Sequence, residues 1–220
     1  MKKSCFFVIL TLVILASASC ASGLRSGENI DEQWGVLHPF QRDDLWGYKD
    51  DSGNIVIEPK FRVARNFSEG LAFVVIDGST TSQRGFIDSS GEMVIFLDPD
   101  GIFAHDFSEG FSRVIDREWD FENERPNVIG TIGPYIFIDR AGRNVFGQEF
   151  EIAEDFNRGI ALVAPYNENY FFINWMGRNA FGREFLYARN FNSEGYARVT
   201  LLNGRVRFMT RSGRLFSTPR

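Results

Sequence analysis

The stretch Ala64-Arg65-Asn66-Phe67-Ser68-Glu69-Gly70-Leu71-Ala72-Phe73-Val74 decides the fold, because the chain repeats it. Three related stretches follow at residues 104–114, 153–163 and 188–199. In every copy a Phe precedes a short polar turn that ends in Gly, and an apolar segment comes next. Self-similarity of this kind is typical of a repeat architecture, in which small units bury their apolar faces against one another.

A second recurring turn gives the period of the repeat. Its glycines lie at intervals of 38, 51, 35 and 36 residues, at Gly53, Gly91, Gly142, Gly177 and Gly213. The basic unit therefore has about 36 residues, and one interval contains an insertion. The segments between the turns are rich in Phe, Val and Ile and alternate with polar residues, a pattern that favours strands.

These features predict an all-β tandem array of about four to five three-stranded units. Asn203-Gly204 separates two alternating segments, which indicates a tight hairpin. The last strand of one unit should therefore pair with the first strand of the next. We expect an open superhelix. The alternative is a closed propeller-like ring, in which a strand near Trp34 completes the truncated last unit, but a propeller blade normally has four strands.

Four phenylalanines and four glycines recur at fixed places in the repeated stretch. We predict that the phenylalanines form the core between stacked units, and the alternative is an aromatic platform for sugar rings or peptide. The glycines should supply a turn conformation that other residues adopt with difficulty. The phenylalanines are Phe67, Phe107, Phe156 and Phe191, and the glycines are Gly70, Gly110, Gly159 and Gly195.

The sequence offers little catalytic chemistry. Glu69, Glu109 and Glu194 precede the turn glycines, but Arg158 interrupts the series. Glycoside hydrolysis needs two carboxyl groups that face one substrate, whereas one Glu per turn spreads them along the array. Without a phosphate-binding loop or a dinucleotide fingerprint, we expect neither an enzyme nor a cofactor. Asp88 precedes a turn that lacks the full calcium-loop pattern, so no metal is predicted.

One unit carries a recognisable signature. It contains Trp46-Gly47-Tyr48, Asp50, Gly53, Ile55-Val56-Ile57, Pro59 and Phe61, and continues into the first repeated stretch. This pattern resembles one repeat of bacterial WG repeat-containing proteins. Later copies match more loosely, since Arg84 replaces the Trp and the last three copies lack the Trp-Gly pair. The resemblance covers residues 46–216 and implies an all-β repeat module without a defined biochemical role.

Residues 1–19 have the layout of a secretory signal peptide. Lys2 and Lys3 precede an apolar segment at residues 6–15, which is shorter than the roughly 20 residues that span a bilayer. Small residues suited to a peptidase follow. We predict that residues 1–19 are removed, that residues 20–33 are a flexible tether, and that residues 34–220 form the repeat domain.

Cys20 directly follows the small residues. This arrangement resembles the lipobox of bacterial lipoproteins. The thiol of the first mature cysteine carries a lipid in that family. Ala18 and Ser19 fit the lipobox pattern, whereas Ser17 departs from it, since Leu is usual there. Ordinary cleavage after Ala18 is the alternative. Cys5 would leave with the signal, so Cys20 would be a lone cysteine that cannot form an intramolecular disulfide. We therefore predict a lipid-anchored cell-envelope protein, on the periplasmic or the surface side.

The charge balance bears on the partners of the domain. Of the 24 basic and 29 acidic residues, Lys2 and Lys3 belong to the signal, which leaves a net charge of −7. Such a domain repels polyanions, so we expect no nucleic-acid partner.

Residues 116–133 form the insertion and are rich in acidic residues. Long insertions in repeat arrays often lie on the binding face. Candidate partner contacts are therefore Trp119, Phe121, Glu122 and Glu124. The alternative is a solvated acidic loop.

Export, repeats and the lack of catalytic groups together predict a non-enzymatic envelope lipoprotein whose array binds a protein or peptide partner. The alternative is a carbohydrate-binding or carbohydrate-cleaving envelope protein with cell-wall glycan as its ligand. That alternative depends on the aromatic and carboxylate content alone.

Overall fold

The computed structural model describes residues 36–78, 82–97, 103–115 and 134–218. These residues contain sixteen strands and no helix. Among them there is therefore no helix that could cross a membrane. The strands are β1 (His38–Arg42), β2 (Leu45–Lys49), β3 (Ile55–Phe61), β4 (Val63–Ala64), β5 (Ala72–Ile76), β6 (Gln83–Ile87), β7 (Met93–Leu97), β8 (Phe111–Ile115), β9 (Tyr135–Asp139), β10 (Ile152–Ala153), β11 (Ile160–Ala164), β12 (Phe171–Asn174), β13 (Tyr187–Ala188), β14 (Tyr196–Thr200), β15 (Val206–Thr210) and β16 (Leu215–Phe216).

The strands form five small antiparallel sheets, which confirms the predicted all-β repeat array. In chain order the sheets are β1-β2-β3, β4-β5-β6-β7, β8-β9, β10-β11-β12 and β13-β14-β15-β16. Two sheets thus have a short fourth strand beyond the three predicted for each unit. No described strand pairs the first sheet with the last. Trp34, near which a closed ring required a strand, lies outside the described residues, and the first described strand, β1, pairs with β2.

Each sheet after the first combines the end of one sequence unit with the beginning of the next. β5 ends a unit and pairs with β6 of the following unit, with Val74 opposite Gly85. β14 and β15 pair in the same way around Asn203-Gly204, where Gly204 has a φ of 79°. The strand pair predicted between neighbouring units therefore lies at the centre of a sheet. A single sequence unit cannot complete a sheet by itself, so neighbouring units must fold together.

The Gly of the Trp-Gly pair is required because a neighbouring strand passes close to it. A Cβ on Gly47 would overlap the carbonyl oxygen of Ile57 in β3, and one on Gly85 would overlap that of Ile95. In the third unit Ile136 occupies this place. The segment that follows the turn at Gly142 pairs with β9 only through isolated bridges and does not form a continuous strand.

The second set of turn glycines holds the units in register. A Cβ on Gly177, whose φ is 70°, would lie 2.6 Å from the ring of Phe146 in the preceding unit. The same contact recurs between neighbouring units, in the pairs Ile57 with Gly91, Ile95 with Gly142, and Phe181 with Gly213. The first turn glycine, Gly53, has open space around it. Each unit therefore inserts one apolar side chain beneath the turn of the next.

The apolar core runs along the array because its clusters are shared between units. Phe73 of the first unit and Phe86 of the second have ring centroids 5.8 Å apart, in an edge-to-face arrangement. Phe111, at the end of the second unit, and Phe156 of the third have ring centroids 4.8 Å apart. Such pairs bury large apolar surfaces that a unit of this size cannot cover alone.

Candidate functional site

The Ser-Glu-Gly turns of the repeated stretch bond to one another. Glu69 and Gly70 have φ angles of 52° and 77° and form a two-residue turn, closed by backbone hydrogen bonds between Ser68 and Leu71. The turn leaves the Glu69 side chain free to reach the next unit. Its Oε2 accepts a hydrogen bond from the backbone N of Gly110 at 2.9 Å.

The next turn makes the same connection to the third unit. Glu109 accepts hydrogen bonds from the backbone N of Arg158 and, at 2.8 Å, from that of Gly159. The preceding serines take part as well: Ser68 Oγ donates to the carbonyl of Phe107 at 2.7 Å, and Ser108 Oγ to that of Phe156 at 2.8 Å. We call these side chains, Ser68, Glu69, Ser108 and Glu109, the Ser–Glu ladder.

The ladder stops at the third unit. Asn157 and Arg158 stand where Ser and Glu are found in the first two turns. The fourth turn also has one additional residue, so Glu194 is not equivalent to Glu109; its side chain is exposed. No Ser–Glu pair can therefore connect the third turn to the fourth.

An open cleft lies where the ladder stops. Its volume is about 310 Å³, and its lining includes Ser108, Phe156, Phe172 and Phe191. Asn190, which is exposed, presents a side-chain amide at this surface. We call this space, between the third and fourth repeated stretches, the cleft.

Arg211 forms the basic rim of the cleft. Its Nη1 donates to the carbonyl of Asn157 at 2.8 Å and its Nη2 to Asn157 Oδ1 at 2.6 Å. The guanidinium lies over the ring of Phe191, 4.7 Å from its centroid. Its Nε is buried and has no hydrogen-bond partner among the described residues. Burial lowers the pKa of Arg211, and neighbouring Arg158 lowers it further.

Glu154 and Asp155 form the acidic rim. Both carboxylates lie close to the buried guanidinium of Arg113, whose Nε donates to Asp155 Oδ1 at 2.7 Å. Its Nη1 lies 3.8 Å from Glu154 Oε2 and also donates to the carbonyl of Ala153. Nη2 lies 3.1 Å from His105 Nδ1. Burial lowers the pKa of His105, and the positive charge of Arg113 lowers it further, which favours the neutral imidazole.

The structure places the recurrent phenylalanines in the core and at the cleft. Phe107 and Phe156 are buried. Phe67 and Phe191 are half-buried, and they pack against Tyr48 and Phe172 at ring distances of 4.9 and 5.1 Å. The turn glycines all have left-handed backbones, with φ angles of 77°, 87°, 85° and 84° at Gly70, Gly110, Gly159 and Gly195.

The remaining predicted site residues lie outside the described residues. These are the lipidation candidate Cys20 and the candidate contacts Trp119, Phe121, Glu122 and Glu124. Among the described residues, no group of three or more His, Cys, Asp or Glu side chains could hold a metal ion. Asp88 accepts hydrogen bonds from Ser90 in its own turn instead.

Sequence reasoning did not identify Glu154, Asp155 and Arg211 as a site. Two signals did mark the place: the replacement of Glu by Arg158, and the additional residue in the fourth copy. Neither departure showed by itself that a cleft would follow.

Comparison with known proteins agrees with the strand pattern. Residues 46–79 match the family described as WG containing repeat. No curated protein matches the chain. The matched residues run from β2 through β5, and thus contain the Trp-Gly pair, the first turn and the first Ser-Glu-Gly turn. Residues 46–79 are therefore a WG-type repeat, and the chain is a repeat-containing all-β protein that carries it.

Proposed function

We propose that this chain is a non-enzymatic binding protein of the cell envelope, whose repeat array binds a protein or peptide partner in the cleft. The observation that supports the proposal is the interruption of the Ser–Glu ladder. Where the ladder is intact, the turn side chains are occupied by the next unit. Where it stops, polar side chains and apolar walls meet in an open space of about 310 Å³. That volume is at the lower end of what ligand sites enclose.

The contacts of two turn carboxylates, Glu69 and Glu109, support the non-enzymatic part of this proposal. Glu69 binds the backbone of Gly110, and Glu109 binds that of Gly159 and the indole of Trp175. A catalytic carboxyl must face its substrate and exchange a proton with it. These two side chains instead connect units of the array.

The envelope location rests on the sequence. A signal peptide at residues 1–19 and a lipid on Cys20 would attach the array to a membrane through the tether of residues 20–33. The acidic insertion at residues 116–133 would add contacts through Trp119, Phe121, Glu122 and Glu124. Deletion of residues 117–132 should then weaken partner capture without abolishing it.

Carbohydrate binding is a second candidate function, and one observation favours it. Trp175 is 58% exposed, and its Nε1 donates to Glu109 Oε2 at 3.2 Å. A fixed and exposed indole can stack on a sugar ring. Quenching of tryptophan fluorescence by cell-wall glycan, lost in Trp175→Ala, would support glycan binding over the peptide proposal.

Site-specific cross-linking in intact cells tests the main proposal. A photo-reactive amino acid is placed in the full chain at Asn190 in the cleft, or at Leu202 as the control. Leu202 is 58% exposed on the Asn203-Gly204 hairpin. We expect a protein adduct from position 190 and none from position 202. Equal adducts from both positions, or none from position 190, would contradict the proposal.

A further inference from the structure

The acidic rim of the cleft carries excess negative charge. Glu154 and Asp155 share one guanidinium, that of Arg113, at 3.8 and 2.7 Å. Arg113 also lies close to His105, whose neutral form accepts a hydrogen bond and adds no charge. Two carboxylates and one cation leave one negative charge uncompensated. The side chains of Glu154 and Asp155 are 44% and 47% exposed, so this charge is open to a ligand.

The basic rim carries excess positive charge. Arg211 is bonded to Asn157, which is neutral, and it takes part in none of the ion pairs of the described residues. Arg158 is a second positive charge close enough to act on it. Glu109 also acts on Arg211, but its single negative charge against two guanidinium groups leaves one positive charge in excess.

We propose that the cleft selects an extended peptide segment with two opposite charges, a basic side chain against Glu154 and an acidic one against Arg211. The inference rests on the peptide-binding function proposed above and specifies its ligand. In an extended chain, residues two apart point the same way, about 7 Å from each other. Two such side chains can enter one small cleft together. The amide of Asn190 can donate to or accept from the peptide backbone between them.

Charge-reversal variants test the acidic rim and the basic rim separately. The full chain, purified in detergent and immobilised, is used to select from a phage-displayed library of random heptapeptides. We expect the native protein to enrich peptides with a basic and an acidic residue two positions apart. Glu154→Lys should lose the basic preference and keep the acidic one, and Arg211→Glu should do the reverse. Each reversal should weaken a selected peptide at least about tenfold, measured by fluorescence anisotropy.

Matched controls distinguish the cleft from the general charge of the surface. Glu149→Lys and Arg205→Glu make the same changes at exposed positions outside the cleft and should select like the native protein. Because Arg211 also holds Asn157, Arg211→Gln is a second variant, which removes the charge and retains a side-chain donor. It should lose the acidic preference with an unchanged circular dichroism spectrum.

The outcomes separate this inference from the function on which it rests. Enriched peptides without the charge pattern, or a pattern unchanged by both reversals, would overturn the inference and leave peptide binding intact. If the folded native protein enriched no peptide, the proposed function would fail and the inference with it.

Discussion

Glu109 accepts a hydrogen bond from the backbone N of Gly159, 50 residues further along the chain, at 2.8 Å. The same carboxylate accepts one from the backbone N of Arg158. In a two-residue turn these N–H groups point outward and have no acceptor within the turn. A single side chain of one unit therefore satisfies the turn of the next, and the repeats are joined by polar contacts as well as by their apolar core.

Glu109→Gln should weaken the contact between the second and third units. The amide retains one acceptor oxygen, so at least one charge-assisted hydrogen bond is lost. We expect the free energy of unfolding to fall by about 1.5–3 kcal/mol, measured by urea denaturation. Glu194→Gln is the control, because Glu194 is exposed in the fourth turn. Its effect should stay within about 0.5 kcal/mol; equal losses for both variants would contradict the role of the ladder.

Gly177→Ala and Gly53→Ala separate backbone strain from stacking. Both glycines have left-handed φ angles, 70° and 85°, where Ala costs about 1–2 kcal/mol. Only the Cβ at Gly177 also overlaps a side chain of the preceding unit, that of Phe146, while Gly53 has open space. Overpacking of this kind adds about 1–3 kcal/mol. Thermal unfolding should therefore show the larger loss for Gly177→Ala, and the reverse order would argue against the stacking contact.

His105 should make stability depend on pH. Burial lowers its folded-state pKa below the ordinary value of 6.5, and Arg113 lowers it further. Asp155 and Asp106 act in the opposite direction, while Arg65 reinforces the lowering. Below about pH 6.5 the unfolded chain therefore binds a proton more readily than the folded chain, and the free energy of unfolding falls as the pH decreases through this window.

Urea denaturation at pH 7.5 and pH 5.5 measures the effect of His105. His105→Gln should reduce the difference between the two values, because the amide does not titrate. His38→Gln replaces the other described histidine, which is exposed, and should retain the difference. An identical pH dependence in the native chain and in His105→Gln would show that the imidazole does not contribute.

Cys20→Ala should abolish lipid attachment. The native chain is expected to enter the detergent-rich phase on cloud-point separation and to incorporate labelled fatty acid. The variant should remain in the aqueous phase without label, because one acyl-bearing thiol is the whole proposed anchor. A variant that still entered the detergent phase would refute the anchor at Cys20.

Much of the fold was predictable because it depends on local pattern. Alternating apolar residues mark the strands, and Gly at fixed intervals marks the turns. The pairing of one unit's last strand with the next unit's first strand followed from the Asn203-Gly204 hairpin signal and is observed in β14 and β15. The short fourth strands, such as Val63–Ala64, were missed because two residues carry no periodic signal.

The candidate site was less predictable. Arg158 was visible as an exception in the series of turn glutamates, but the exception has a structural meaning only once the Glu109 contact is known. Arg211 belongs to the last, truncated unit, and it reaches Asn157, 54 residues earlier. No local pattern relates these two residues, because their proximity depends on how the units that carry them pack together.

The amino-acid sequence alone established the longer strands, the period, the turn positions and the places where the repeat departs from itself. Each of these is encoded within about ten neighbouring residues, where backbone preference and apolar alternation act. Only the tertiary structure decided that the turn of one unit bonds to the next, and that a charged cleft opens where this bonding stops. Contacts between residues 41 to 54 positions apart depend on the rotation and spacing of whole sheets, which arise from packing along the entire array.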